Sequence, residues 1–139
     1  LADRDALCAG LMDGTSDAIC SDHAPVDEDA KLLPFAQAES GATGLELLLP
    51  LTLKWAVENR LSLPEALARI TSHPARILGI ETGQLVAGAV ADLCIFDPDA
   101  NWVVSHTELR SQGKNTPFLG MELYGRTRFT LIGGRIVYG

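Results

Sequence analysis

The sequence contains no CxxC pair, no GxSxG elbow and no GxGxxG fingerprint. These absences remove the short-range signatures of a redox dithiol, a serine hydrolase and a dinucleotide-binding fold. Its three cysteines, Cys8, Cys20 and Cys94, are odd in number and far apart, so neither a disulfide framework nor a zinc knuckle follows. Cys20 and Cys94 lie in apolar runs and are expected as buried structural thiols, in the reducing cytoplasm. Cations are scarce, with 11 Lys and Arg against 18 Asp and Glu and a formal net charge of -7. Nucleic acid, which needs clustered Lys and Arg against phosphate, is therefore not an expected partner. No apolar run reaches the roughly 20 residues that span a bilayer. The longest, Leu45 to Leu53, is interrupted by Glu46, Pro50 and Thr52. No signal-peptide pattern opens the chain, and a membrane is not an expected partner. What is present in quantity is apolar residue content, 47% of 139 residues, enough for a core in one ordinary domain.

The pattern divides near Gly79. Ala6, Leu7 and Leu11 predict a helix over Asp3 to Met12, stopped at Gly14. DAICS, Asp17 to Ser21, follows a helix and precedes a loop, which suggests a short buried parallel strand. Pro25 to Gly44 is irregular, acidic at its start and long for a connection in a compact protein, the length of a functional loop or a disordered one. LELLLPLTLKWAVENRL is apolar on nearly every side up to Trp55 and predicts a largely buried helix, with Pro50 kinking it or marking its first turns. Ser62 and Glu65 form a capping box for the next helix, with Pro64 in its first turn. PARILG then closes the first half. After Gly79 the runs ADLCIFD and NWVV read as strands, and RTRFTLIGGRIVYG reads as a hairpin turning at Gly133 and Gly134. SQGKNTPFLG between them is a polar loop. Its GKNT lacks the upstream glycine and the following helix of a phosphate cradle.

Chemistry concentrates at ICSDHAPVDED, Ile19 to Asp29. Side chains at the carboxyl end of a parallel strand face the ligand site in α/β proteins. Asp22 there could ligate a metal or act as general base. It could equally cap the next turn, with His23 packed beneath it. A catalytic zinc needs about three protein ligands. The histidines, His23, His73 and His106, have no i, i+2 or i, i+4 spacing, so no local ligand pair exists. His73 and His106 are expected to be structural or exposed.

Taken in order, SDHAP, GATGLELLLPL, TSHPARILGI, GQLVAGAVADLCIFDPDANWVV and GKNTPFLGMELYGRTRFTLIGGRIVYG resemble the C-terminal part of a dihydroorotase, within the cyclic amidohydrolases. The resemblance runs along essentially the whole chain. It implies an α/β fold: residues 1–79 as the last strand and closing helices of a TIM barrel, and residues 80–139 as strands of a small β-sandwich. A complete barrel takes about 250 residues, so the rest would belong to an N-terminal remainder of the same protein. The start at Leu1 without Met fits a fragment or processed piece.

The resemblance also implies zinc, with most ligands outside this chain, and assigns roles. Asp22 would be metal ligand and general acid/base. His23 and Gly41 would adjoin the substrate, a small molecule. The reaction would be reversible closure of N-carbamoyl-L-aspartate to L-dihydroorotate in pyrimidine synthesis. Expected company is a homo-oligomer or aspartate carbamoyltransferase. One residue departs: the family's run is Asp-His-Ala-Pro-His, and its last histidine binds the substrate carboxylate, but Val26 stands here. An apolar side chain cannot supply that charge-assisted hydrogen bond, worth about 1.5–3 kcal/mol. The alternative is therefore an inactive dihydroorotase-like subunit that supports aspartate carbamoyltransferase.

Overall fold

The computed structural model describes residues 2–139. Five helices precede a sheet: α1 (Ala2–Asp13), α2 (Glu28–Lys31), α3 (Leu48–Asn59), α4 (Leu63–Ala68) and α5 (Ser72–Leu78). A 3-10 turn, Leu45–Leu47, leads directly into α3. The strands β1 (Leu93–Val103), β2 (Glu122–Ile132) and β3 (Arg135–Tyr138) form one antiparallel sheet in the order β1-β2-β3. No helix among the described residues is long and apolar enough to cross a membrane.

Local rules account for most boundaries. Pro50 falls in the first turn of α3, where its missing N–H breaks no intrahelical bond, so the helix is not interrupted. α3 ends when Arg60 turns left-handed (φ 59°), and the Leu61 N–H then caps the Ala56 carbonyl at 2.9 Å. Glu65 Oε2 accepts from the Ser62 N–H (2.9 Å) and hydroxyl (2.5 Å), fixing the start of α4. ADLCIFD and NWVV merge into one 11-residue strand, β1, with its register broken between Asp97 and Asn101. Gly133 and Gly134 both take positive φ (55° and 79°), the conformation that a two-residue hairpin turn needs.

The core lies where the entry to α3 meets the sheet. Leu47, Val104, Leu109 and Leu123 are buried together, with Leu51, Trp102, Phe118 and Met121 packed around them. This places the residues just before Leu47 over the loop that joins β1 to β2.

Two expectations fail. Asp17–Ser21 is not a strand: the Ile19 N–H bonds the Arg69 carbonyl (2.9 Å), and no ladder forms. A strand needs a neighbour's backbone groups, and the described residues place none beside it. Cys20 and Cys94 are exposed, not buried. Cys20 lies on that unpaired segment, and Cys94 lies on β1 where both faces are accessible, since its neighbour Ile95 on the opposite face is 49% exposed.

Candidate active site

Three chain segments meet around Asp22, and main-chain atoms carry most of the contact. The first is Ser21–Val26, the second Gly41–Gly44, the third Gly113–Asn115. His23 and Ala42 form a parallel bridge, and the Ala24 N–H donates to the Ala42 carbonyl at 3.0 Å. On the other side of Gly41–Gly44, the Thr43 N–H donates to the Asn115 carbonyl (2.7 Å) and its hydroxyl to the Gly113 carbonyl (2.6 Å). The Asn115 Nδ2 donates to the Gly41 carbonyl at 3.2 Å. Thr43 is fully buried between them.

Such close backbone packing leaves no room for side chains. A Cβ on Gly41 would lie 2.5 Å from the Ala24 carbonyl oxygen, one on Gly44 2.7 Å from the Ser21 oxygen, and one on Gly113 2.8 Å from Pro25 Cβ. Gly41 also sits at φ 125°, which L side chains rarely adopt.

Asp22 is exposed, with φ 44°. A left-handed non-glycine backbone costs on the order of 1–3 kcal/mol and persists only where the surroundings over-determine it. Here the bridge at His23 and the bond at Ala24 hold the chain immediately after it. His23 Nδ1 accepts from the N–H groups of Gly44 (3.1 Å) and Leu45 (3.2 Å). The neutral ring therefore carries its proton on Nε2, as a donor. Val26 is buried at 9% exposure, and its Cγ2 would be 3.0 Å from a Cβ on Gly41.

One ionic clasp ties the cluster to the sheet side. Glu46 accepts from the Arg110 N–H (2.6 Å), the Ser111 N–H (2.7 Å) and the Ser111 hydroxyl (2.7 Å). Partial burial works against the charged form, but these donors and the nearby Lys114 charge outweigh it. The Glu46 carboxyl is held below its ordinary value.

The other histidines lie elsewhere. His73 Nδ1 donates to the Asp17 carbonyl (3.1 Å), and His106 lies 3.2 Å from Glu28. Among the described residues no group of three or more His, Cys, Asp or Glu could hold a metal. Cavities of about 250 and 520 Å3 lie beside α3, lined by residues such as Trp102 and Arg126, or Leu53 and Val57. Asp22, His23 and Gly41 line neither, and Asp22 is exposed. Sequence reasoning brought out Asp22, His23 and Gly41, and the structure brings these three together. It missed Thr43, Gly44, Gly113 and Asn115, whose partners are up to 74 residues away.

The profile described as "Amidohydrolase family" matches residues 12–138. The chain belongs to the amidohydrolase family. This amidohydrolase chain is 45% identical over 137 residues to a dihydroorotase of Geobacter sp. (strain M21), covering 99% of the chain and 32% of that protein. It is 43% identical to a dihydroorotase-like protein of Pseudomonas putida, with the same shares covered. L-Hydantoinase (dihydropyrimidinase) from Arthrobacter aurescens superposes with a TM-score of 0.81 at 35% identity, over 95% of this chain and 31% of that one. The amidohydrolase chain thus spans about a third of the length of the relatives it matches. Its α/β architecture with a small antiparallel sheet is the one found in the corresponding third of hydantoinases.

Proposed function

We propose that the chain is the C-terminal part of a zinc-dependent dihydroorotase, which interconverts N-carbamoyl-L-aspartate and L-dihydroorotate in the cytoplasm. Residues 1–79 would close the barrel and residues 80–139 would form part of the small sandwich. The observation that carries this reading is Asp22: an exposed carboxylate on a strained backbone (φ 44°), steadied by the segment that bears Gly41. Arg60 takes the same backbone region to end α3, but Asp22 ends no helix, and strain kept there supports a role at a site.

Asp22 suits a zinc ion in kind, as an oxygen donor, but not in number. The described residues supply no ligand triad, so the other ligands would come from the remainder of a longer protein. When bound, zinc lowers the pKa of water and polarises the amide carbonyl. The residues of this chain do the rest. In the hydrolytic direction an Asp22 carboxylate oxygen takes the proton of the attacking water and delivers it to the leaving nitrogen. His23, with Nδ1 occupied, presents its Nε2–H to substrate oxygen. Gly41 lets the main chain approach the substrate.

The test is Asp22→Asn in the full-length protein. Asparagine tolerates the left-handed backbone, so the fold should persist. Turnover of L-dihydroorotate should fall by about 100- to 10,000-fold, with Tm nearly unchanged. Retained turnover would take Asp22 out of the mechanism.

Val26 favours a second reading. It is a packing residue, wedged under Gly41, and offers nothing to a substrate carboxylate. A noncatalytic subunit that supports aspartate carbamoyltransferase has no need of that grip. Absence of turnover in the unaltered full-length protein, together with co-purification with that enzyme, would establish this alternative.

A further inference from the structure

The loop that joins β1 to β2 packs Leu109 and Phe118 against the core and carries a polar stretch between them. Its Gly113–Asn115 stretch packs on the Gly41–Gly44 segment, which in turn packs on Asp22–Ala24. The key contact is at a glycine. The Gly41–Ala42 peptide follows a residue at φ 125° that has no side chain of its own and packs closely on Ala24 and Val26. Its carbonyl is held by Asn115 Nδ2 (3.2 Å), while Ala42 forms the bridge to His23. Thr43 fixes the next peptide, through its N–H to the Asn115 carbonyl and its hydroxyl to the Gly113 carbonyl.

We propose that Asn115 and Thr43 are positioning residues for the reaction: Asn115 sets the plane of the Gly41–Ala42 peptide, and Thr43 locks the two loops in register. Neither side chain reaches Asp22. They act through the main chain that flanks it. Specificity for the substrate thus depends on a residue of the β unit, 93 positions along the chain from the acid (Asp22 to Asn115, 115 - 22).

This inference rests on the dihydroorotase reading of the site, and the experiment separates the two. In the full-length protein, Asn115→Ala should raise KM for L-dihydroorotate at least about tenfold while kcat stays within about threefold, because peptide orientation is lost and Asp22 is kept. Thr43→Val, isosteric but without the hydroxyl, should behave likewise, and Thr43→Ser should restore the wild-type KM. A purely structural role would lower Tm and the active fraction without moving KM. Wild-type KM in both Asn115→Ala and Thr43→Val overturns the proposal even if Asp22→Asn is inactive. If the unaltered protein has no turnover, amide exchange provides the test. Asn115→Ala should then speed exchange at Ala24 and Thr43, whose N–H groups are bonded in the interlock, at least about tenfold while α3 is unaffected, and unchanged exchange overturns the proposal.

Discussion

Two stretches of this chain lack regular structure, and both bring a glycine close to neighbouring main chain, at Gly41 and at Gly83, yet they differ in burial and in cross-segment hydrogen bonding. Around Asp22, the segments 21–26, 41–44 and 113–115 interlock through backbone hydrogen bonds, with Thr43 fully buried and Gly41, Gly44 and Gly113 in close contact with neighbouring main chain. Between α5 and β1, every residue from Glu81 to Val90 is exposed. Both stretches contain glycines and neither forms a helix or strand. Irregular backbone becomes fixed where another segment supplies partners for its N–H and C=O groups, and remains solvent-bonded where none does. Glycine content alone does not distinguish the two cases.

Substitutions can break or sharpen this contrast. The largest loss of stability is expected at Leu47, fully buried just beyond the interlocked segments. Leu47→Ala should cost about 2–5 kcal/mol, measured by urea unfolding of the full-length protein. Next comes Gly41→Ala, where the new Cβ would lie 2.5 Å from the Ala24 oxygen at φ 125°. A loss of about 2–4 kcal/mol is expected from strain and overlap together. A loss below about 0.5 kcal/mol would mean that the interlock yields easily.

Glu46 gives the third test, read through pH. Its folded carboxyl is held below the ordinary value of 4.5. Its stabilising contribution is therefore fully present above that value and is lost as pH falls through the lower folded one. Wild-type Tm should drop over this acid window. Glu46→Gln should be less stable at neutral pH by about 1–3 kcal/mol and show a shallower acid drop. An identical acid slope in the two proteins would take Glu46 out of the linkage. The smallest effect belongs to the exposed connector. Leu85→Ala, at a side chain 87% exposed, should change stability by less than about 0.5 kcal/mol. A larger loss would show that this stretch is covered in the full-length protein.

Local chemistry was legible in the sequence; distant pairing was not. The Ser62–Glu65 box, the stop at Gly79 and the Gly133–Gly134 turn depend on neighbours within a few residues and are legible in the sequence, whereas the left-handed stop at Arg60 carries no such signal. Asp22, His23 and Gly41 stood out by the resemblance of their motifs. DAICS misled because a short apolar run becomes a strand only beside another strand. SQGKNTPFLG read as a polar loop and no more, since a hydroxyl bonding a carbonyl 70 residues away leaves no periodic trace. Glu46 was invisible for the same reason: its donors, Arg110 and Ser111, are 64 and 65 residues on.

Every hydrogen bond of the interlock around Asp22 engages a main-chain atom, and the side chains that join in are those of His23, Thr43 and Asn115. A frame of that kind is nearly blind to what its outward positions carry. Val26 is not one of these: it is buried beneath Gly41, so a histidine there would have to shift the frame itself. The exposed carboxylate of Asp22, by contrast, could be exchanged with the frame left standing.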